Sequence, residues 1–217
     1  MVALDHSAPF ETPGPARLPF AVLFCGLLAV AVFFAGCALR GFSDNGVRLG
    51  TQLLWRLGCL VFFAALVAGP LGRLVRPLKA LADKDRSLLQ GFCAVLAVYF
   101  AAILLPNLFA ISDGTRPAGI TAGMTFFILF TGGVTLVMTA AVNRSLSLAL
   151  GRRACRTMLG LSVIYFWLCY GLIGLAHISG PHRPDGFYEL SVILMVIGLL
   201  VRFAERYRRG RHPVPAA

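Results

Sequence analysis

A stretch of 24 residues without one charged side chain runs from Leu88 to Ile111 and reads LLQGFCAVLAVYFAAILLPNLFAI. As an α-helix it would be about 36 Å long, because each residue adds 1.5 Å along the helix axis. The hydrocarbon core of a membrane is roughly 30 Å thick and excludes charged side chains. The stretch therefore predicts a helix that crosses a membrane.

Five further segments have a comparable length and apolar character. They run from Leu18 to Leu39, Leu53 to Leu71, Ile120 to Val142, Met158 to Ile178 and Tyr188 to Phe203. Only 13% of the chain is charged, whereas a soluble domain carries about a quarter. The sequence thus predicts an all-α integral membrane bundle of six helices over residues 18–203. A short segment, 1–17, precedes the bundle, and a basic tail, 204–217, follows it.

The basic residues alternate between the two sides of the predicted bundle. One side collects most of the arginines that give the net charge of +11. The connections on the other side contain only Arg40, Arg48, Arg116 and Arg183. Cytoplasmic loops retain lysine and arginine, so we predict a multi-pass protein of the cell inner membrane with both termini cytoplasmic. Membrane topology accounts for this basic charge, and a nucleic-acid partner is not expected.

No cofactor motif accompanies these spans. The six cysteines form no CxxC pair, and no GxGxxG or GxxxxGK[ST] run is present. No stretch between the predicted spans exceeds about twenty residues, which is too short to bury a core of its own. We therefore expect no nucleotide or flavin site in this chain; such a cofactor would belong to a partner protein.

Arg56 lies inside the second predicted span, and an intramembrane charge is a functional-site hypothesis by default. The neighbouring Trp55 suits the membrane interface, and an arginine near a helix end can extend its charged group to that interface. If Arg56 is buried, its candidate partners include Asp44 and Glu189, near the same surface. A functional polar pair and an interfacial anchor both remain open.

At this point the chain resembles the ferric reductase-like transmembrane family. The resemblance rests on Arg86-Ser87-Leu88-Leu89 at the entry to the third span, and on the basic loop from Asn143-Arg144 through Leu150-Gly151-Arg152-Arg153 to Arg156. Six spans with basic second and fourth loops fit as well. The family includes the haem-binding membrane subunit of the bacterial methionine sulfoxide reductase system.

The resemblance implies haem b held by histidines on the third and fifth helices, and a membrane or soluble redox partner. Here the third span has no histidine, and Tyr99 lies near the expected position. In the fifth span, Met158 lies at the cytoplasmic start and His177 near the outer surface. The candidate haem-facing residues are therefore His177, Met158 and Tyr99, because methionine and tyrosine also serve as haem ligands.

Three functions follow as alternatives, and the residues leave open whether the chain is an enzyme. The first is a transmembrane electron-transfer component, or a haem-free degenerate member of the same family. The second is a non-enzymatic scaffold or subunit of a larger membrane complex. The third is a transporter of an uncharged solute, because the spans offer hydroxyls such as Thr131 and Ser162 but few charges near the midplane.

Overall fold

The computed structural model describes residues 20–81, 84–112, 122–143, 151–179 and 185–211. This part of the chain is helical and contains no strand. The helices are α1 (Phe20–Leu39), α2 (Asp44–Leu74), α3 (Asp85–Ser112), α4 (Ala122–Val142), α5 (Arg152–Ile178) and α6 (Gly186–Arg211), with a 3-10 turn at Arg76–Leu81 after α2. All six helices contain a stretch long and apolar enough to cross a membrane. The predicted all-α class and six membrane-length helices are confirmed.

Four helices, α2, α3, α5 and α6, are longer than the predicted spans, and α2 and α6 differ most. α2 begins at Asp44, before the predicted start at Leu53, and α6 continues to Arg211, well into the segment 204–217. The segment 1–17 lies outside the described residues. We call the end of the bundle where α2, α4 and α6 finish the arginine-rich end, and the end where they begin the arginine-poor end.

α2 lies at the centre of the bundle and packs against α1, α3 and α6. Glycines bring α1 and α2 together, because a Cβ atom added at Gly36 would lie 2.6 Å from Cα of Gly50. A Cβ atom added at Gly50 would lie 2.8 Å from the carbonyl oxygen of Phe33. Close backbone approach through small residues is the usual way in which membrane helices gain packing contacts.

Aromatic side chains fill the interior between α2, α3 and α5. Phe62, Phe92, Phe166 and Tyr170 are each no more than 1% exposed. The ring centroids of Phe92 and Phe166 lie 5.0 Å apart in an edge-to-face arrangement, and those of Phe62 and Phe92 lie 5.1 Å apart. These rings, defined here as the aromatic core, join the three helices through van der Waals contact.

Pro70 lies inside α2 and leaves one backbone carbonyl without its helical hydrogen bond, which a side chain of α6 replaces. Proline lacks an N–H, so the carbonyl of Leu66 loses its intrahelical donor. Arg202 of α6 donates from Nε to that carbonyl oxygen at 3.3 Å. Arg208 donates from Nη1 to the carbonyl of Leu74, in the last turn of α2, at 3.1 Å. The basic residues at this end therefore satisfy backbone carbonyls in addition to any role in topology.

Two ion pairs hold α2 against α6. Arg56 pairs with Asp185 at the arginine-poor end, and Nε of Arg73 lies 2.6 Å from Oε1 of Glu205 at the arginine-rich end. The two arginines are separated on α2 by about 26 Å along the helix axis. This separation approaches the roughly 30 Å hydrocarbon thickness, so each pair is placed near one boundary of the apolar region.

Candidate functional site

A pocket of about 380 Å³ lies between the helices at the arginine-poor end of the bundle. Its lining residues come from α2 to α6; they are Thr51, Gln52, Trp55, Arg56, Tyr99, Ile103, Phe127, Ile173, His177 and Tyr188. Ligand pockets commonly measure about 300–1,000 Å³, so the volume suits a small molecule. Three residues singled out from the sequence, Arg56, Tyr99 and His177, line this pocket together.

Helical periodicity explains how the lining is built. Residues four apart lie on the same face of a helix, and three helices contribute such pairs. The pairs are Thr51 with Trp55 and Gln52 with Arg56 on α2, Tyr99 with Ile103 on α3, and Ile173 with His177 on α5. Each of these helices thus presents one face to the same space.

Ring contacts fix the walls of the pocket. The ring centroid of Trp55 lies 5.8 Å from that of Tyr99 and 4.4 Å from that of Tyr170. On the other wall, the rings of His177 and Tyr188 stack with centroids 3.9 Å apart and planes 9° apart. Side chains held by stacking form a preorganised aromatic surface, which suits a flat or apolar ligand face.

Hydrogen bonding determines which nitrogen of His177 faces outward from its own helix. Nδ1 lies 2.8 Å from the carbonyl oxygen of Ile173. A carbonyl only accepts, so Nδ1 carries the proton and donates, which leaves Nε2 of the neutral ring as an acceptor. No group of three or more potential metal-ligating His, Cys, Asp or Glu residues occurs among the described residues. Because Nδ1 donates to its own helix, Nε2 of His177 is the atom that accepts a hydrogen bond from a ligand.

The guanidinium of Arg56 is held by the start of α6. It pairs with Oδ2 of Asp185 and lies over the ring of Phe187, 5.2 Å from its centroid. The other carboxylate oxygen of Asp185, Oδ1, accepts a hydrogen bond from the N–H of Phe187 at 3.3 Å. Asp185 thus caps α6 and neutralises Arg56 at the same time. The Arg56–Asp185 ion pair beside the pocket therefore has no net charge.

The partner of Arg56 differs from the two acids named from the sequence. Glu189 is exposed in the first turn of α6, and Asp44 is exposed at the start of α2. The acid in contact with Arg56 is Asp185, because the cap position of α6 lies against this part of α2. An aspartate immediately before an apolar run is a recognised helix-start signal, and it could have identified this residue.

Met158 lies far from the pocket. It is half-buried near the beginning of α5, about 28 Å along the helix axis from His177. Tyr99 and His177 line the same pocket, whereas Met158 belongs to the opposite end of the bundle. A ligand set that combines Met158 with either residue is not brought together in this arrangement.

The space between α3 and α5, where the resemblance places haem, contains aromatic side chains. Phe92 and Phe166 meet there and are completely buried. Tyr170 lies in the same cluster, and its ring contacts that of Trp55 with the two planes 38° apart. Aromatic side chains therefore fill this space between the described parts of α3 and α5.

Tyr170 lies behind the pocket wall, against Trp55, and the sequence did not single it out. Its hydroxyl is buried and has no hydrogen-bond partner among the residues that the structure describes. The hydroxyl faces the backbone of α2, because a Cβ atom added at Gly58 would lie 2.7 Å from it. A tyrosine within an apolar span carries no signal that separates it from ordinary packing residues, so this position depends on the tertiary structure.

Comparison with known proteins adds no assignment. No protein family model, curated protein or solved structure matches the chain. The resemblance to ferric reductase-like proteins therefore stays a prediction that rests on the loop residues and the order of the helices.

Proposed function

We propose that the chain is a haem-free membrane protein of ferric reductase-like type, which binds a small uncharged molecule at its arginine-poor end. The observation that carries this proposal is the pocket itself, where five helices converge on an aromatic wall with hydrogen-bonding groups. The ion pair with Asp185 neutralises Arg56, so a ligand charge of either sign gains little there. With both termini cytoplasmic, this pocket faces the outer side of the membrane.

The chemical groups around the pocket specify the class of ligand. Trp55, Tyr99 and Tyr188 provide ring faces for a planar molecule. His177 accepts through Nε2, whereas Gln52 offers both a donor and an acceptor. The preferred ligand is therefore a planar, uncharged molecule with an amide-like pair of hydrogen-bonding groups. The binding pocket supports either uptake of a solute or its detection at the membrane surface.

A fluorescence titration tests ligand binding, because the chain has only two tryptophans. Trp55 lines the pocket, whereas Trp167 donates from Nε1 to the carbonyl of Met195 within the bundle. In the Trp167→Phe variant of the full chain, benzamide should produce a saturable change in Trp55 emission. Adding His177→Ala should weaken that affinity about tenfold, as expected for the loss of one hydrogen bond.

The control is Trp55→Phe, in which Trp167 reports from outside the pocket. Its emission should show no saturable change over the same range of benzamide. A response of equal size in both single-tryptophan variants would mean non-specific partitioning into the detergent or the bundle. That result would overturn the proposed binding pocket.

Electron transfer through haem is the competing function. One observation favours it, namely the hydrogen bond from Nδ1 of His177 to the carbonyl of Ile173. An imidazole that donates through Nδ1 to a carbonyl is also the arrangement found in metal-ligating histidines. We expect protein purified from haem-replete cells to show no Soret band, because aromatic side chains fill the α3–α5 interior. A near-stoichiometric Soret band that shifts on reduction with dithionite, and disappears in His177→Ala, would contradict the haem-free proposal.

A further inference from the structure

A second cleft, of about 740 Å³, runs along the outside of the bundle between α1, α3 and α4. Its rims carry apolar side chains that face away from the protein, such as Leu104, Leu129 and Leu136, which are 41%, 68% and 73% exposed. Its lining extends along α3 from Gln90 to Leu104, a length of about 21 Å. The cleft is therefore long and narrow and opens toward the surroundings of the helices.

Small residues create this space. Ala94 and Ala97 of α3 face Gly132 and Gly133 of α4 across the cleft. A Cβ atom added at either glycine would meet no heavy atom of the described residues within 4 Å. In this part of the chain the two glycines therefore do not serve close packing, in contrast to Gly36 and Gly50.

The cleft changes in polarity along its length. Gln90 and Asn143 line it at the arginine-rich end, whereas Phe100 and Ile128 line it toward the other end. Arg86, one turn before Gln90, is exposed there and donates from Nε to the carbonyl of Val142 at 2.8 Å. A cationic side chain and two amides thus lie beside one end of a cleft whose remaining lining is apolar apart from Thr135 and Thr139.

We propose that this cleft holds one acyl chain of an anionic phospholipid, with the phosphate at the arginine-rich end. A leaflet contributes half of the roughly 30 Å hydrocarbon core, or about 15 Å, so the cleft accommodates a chain from the adjacent leaflet. Basic residues between membrane helices on the cytoplasmic side recognise anionic headgroups. The amphiphilic gradient matches a lipid, whereas a transmembrane helix from a second protein would need an apolar strip along the whole cleft.

Native mass spectrometry of the full-length protein tests this proposal. The protein is incubated in mild detergent with equal amounts of dioleoyl phosphatidylglycerol and dioleoyl phosphatidylcholine, which have identical chains. Wild type should retain one phosphatidylglycerol, favoured over phosphatidylcholine by at least about fivefold. Gly133→Leu, which places a side chain in the cleft, should reduce that adduct by about tenfold.

Gly160→Leu is the matched control, because Gly160 is also an exposed helical glycine with open space around it and lies outside the cleft. It should retain phosphatidylglycerol as wild type does. Equal adducts on Gly133→Leu and Gly160→Leu would overturn the proposed site, and equal retention of the two lipids would overturn the anionic preference. A wild-type dimer that Gly133→Leu dissociates would identify the cleft as a contact between copies of the chain instead.

Discussion

Gly50→Leu is expected to lower the free energy of unfolding by about 3 kcal/mol, the upper part of the range for overpacked interiors. The new side chain would begin 2.8 Å from the carbonyl oxygen of Phe33. This neighbour is backbone, so a rotamer change cannot relieve the clash, and α1 must move away from α2. An unfolding titration with sodium dodecyl sulfate, followed by circular dichroism of the full-length protein, measures the loss.

Gly160→Leu is again the control, since a Cβ atom there meets no atom of the described residues within 4 Å. It should change the unfolding free energy by no more than about 0.5 kcal/mol, as surface substitutions usually do. If Gly50→Leu unfolded at the same detergent fraction as Gly160→Leu, close contact between α1 and α2 would not contribute to the stability of the bundle.

The number and order of the helices could be predicted because a long uncharged segment is excluded from water and, within lipid, must satisfy its backbone hydrogen bonds as a helix. The ends of α2 and α6 could not be predicted by the same criterion. The first turns of α2 carry Asp44 and Arg48, and the last turns of α6 carry Arg208. Hydropathy places the end of a predicted span before such charged residues. The helix itself does not end there, because backbone hydrogen bonding continues beyond the apolar region.

The candidate site could be predicted only residue by residue. Arg56, Tyr99 and His177 were each identified for a separate reason, but periodicity within each helix does not say which helices are neighbours. Their meeting depends on the central position of α2 between α3 and α6. The sequence signals that Asp185 begins α6, but its pairing with Arg56 depends on the part of α2 against which α6 packs, which is a tertiary feature.

The same limit applies to Pro70. Its position within an apolar segment signals that one carbonyl of α2 lacks a backbone donor. The sequence does not show that the donor is Arg202, on the last helix of the bundle. A local sequence pattern thus predicts that a carbonyl requires a hydrogen-bond donor from elsewhere, whereas long-range packing determines which residue donates.

Phe166→Ala is expected to cost about 3–5 kcal/mol, the range for removing a large side chain from a well-packed interior. Phe166 is completely buried and its ring meets those of Phe62, Phe92 and Tyr165 at centroid distances of 6.1, 5.0 and 5.3 Å. Lipid tails are as apolar as the side chains, so helix association depends on such van der Waals contacts. The same detergent titration measures the loss of stability.

Phe126→Ala is the matched control, because Phe126 on α4 is 69% exposed and its removal leaves no internal cavity. We expect its effect to stay within about 0.5 kcal/mol. Recording the visible spectrum of both variants links stability to function. The opposing result is that Phe166→Ala unfolds no more easily than Phe126→Ala and binds haem in near-stoichiometric amount. That result would mean that the aromatic core occupies a haem site and is not required for stability. A large loss of stability without a Soret band would support an aromatic core that holds α2, α3 and α5 together in place of haem.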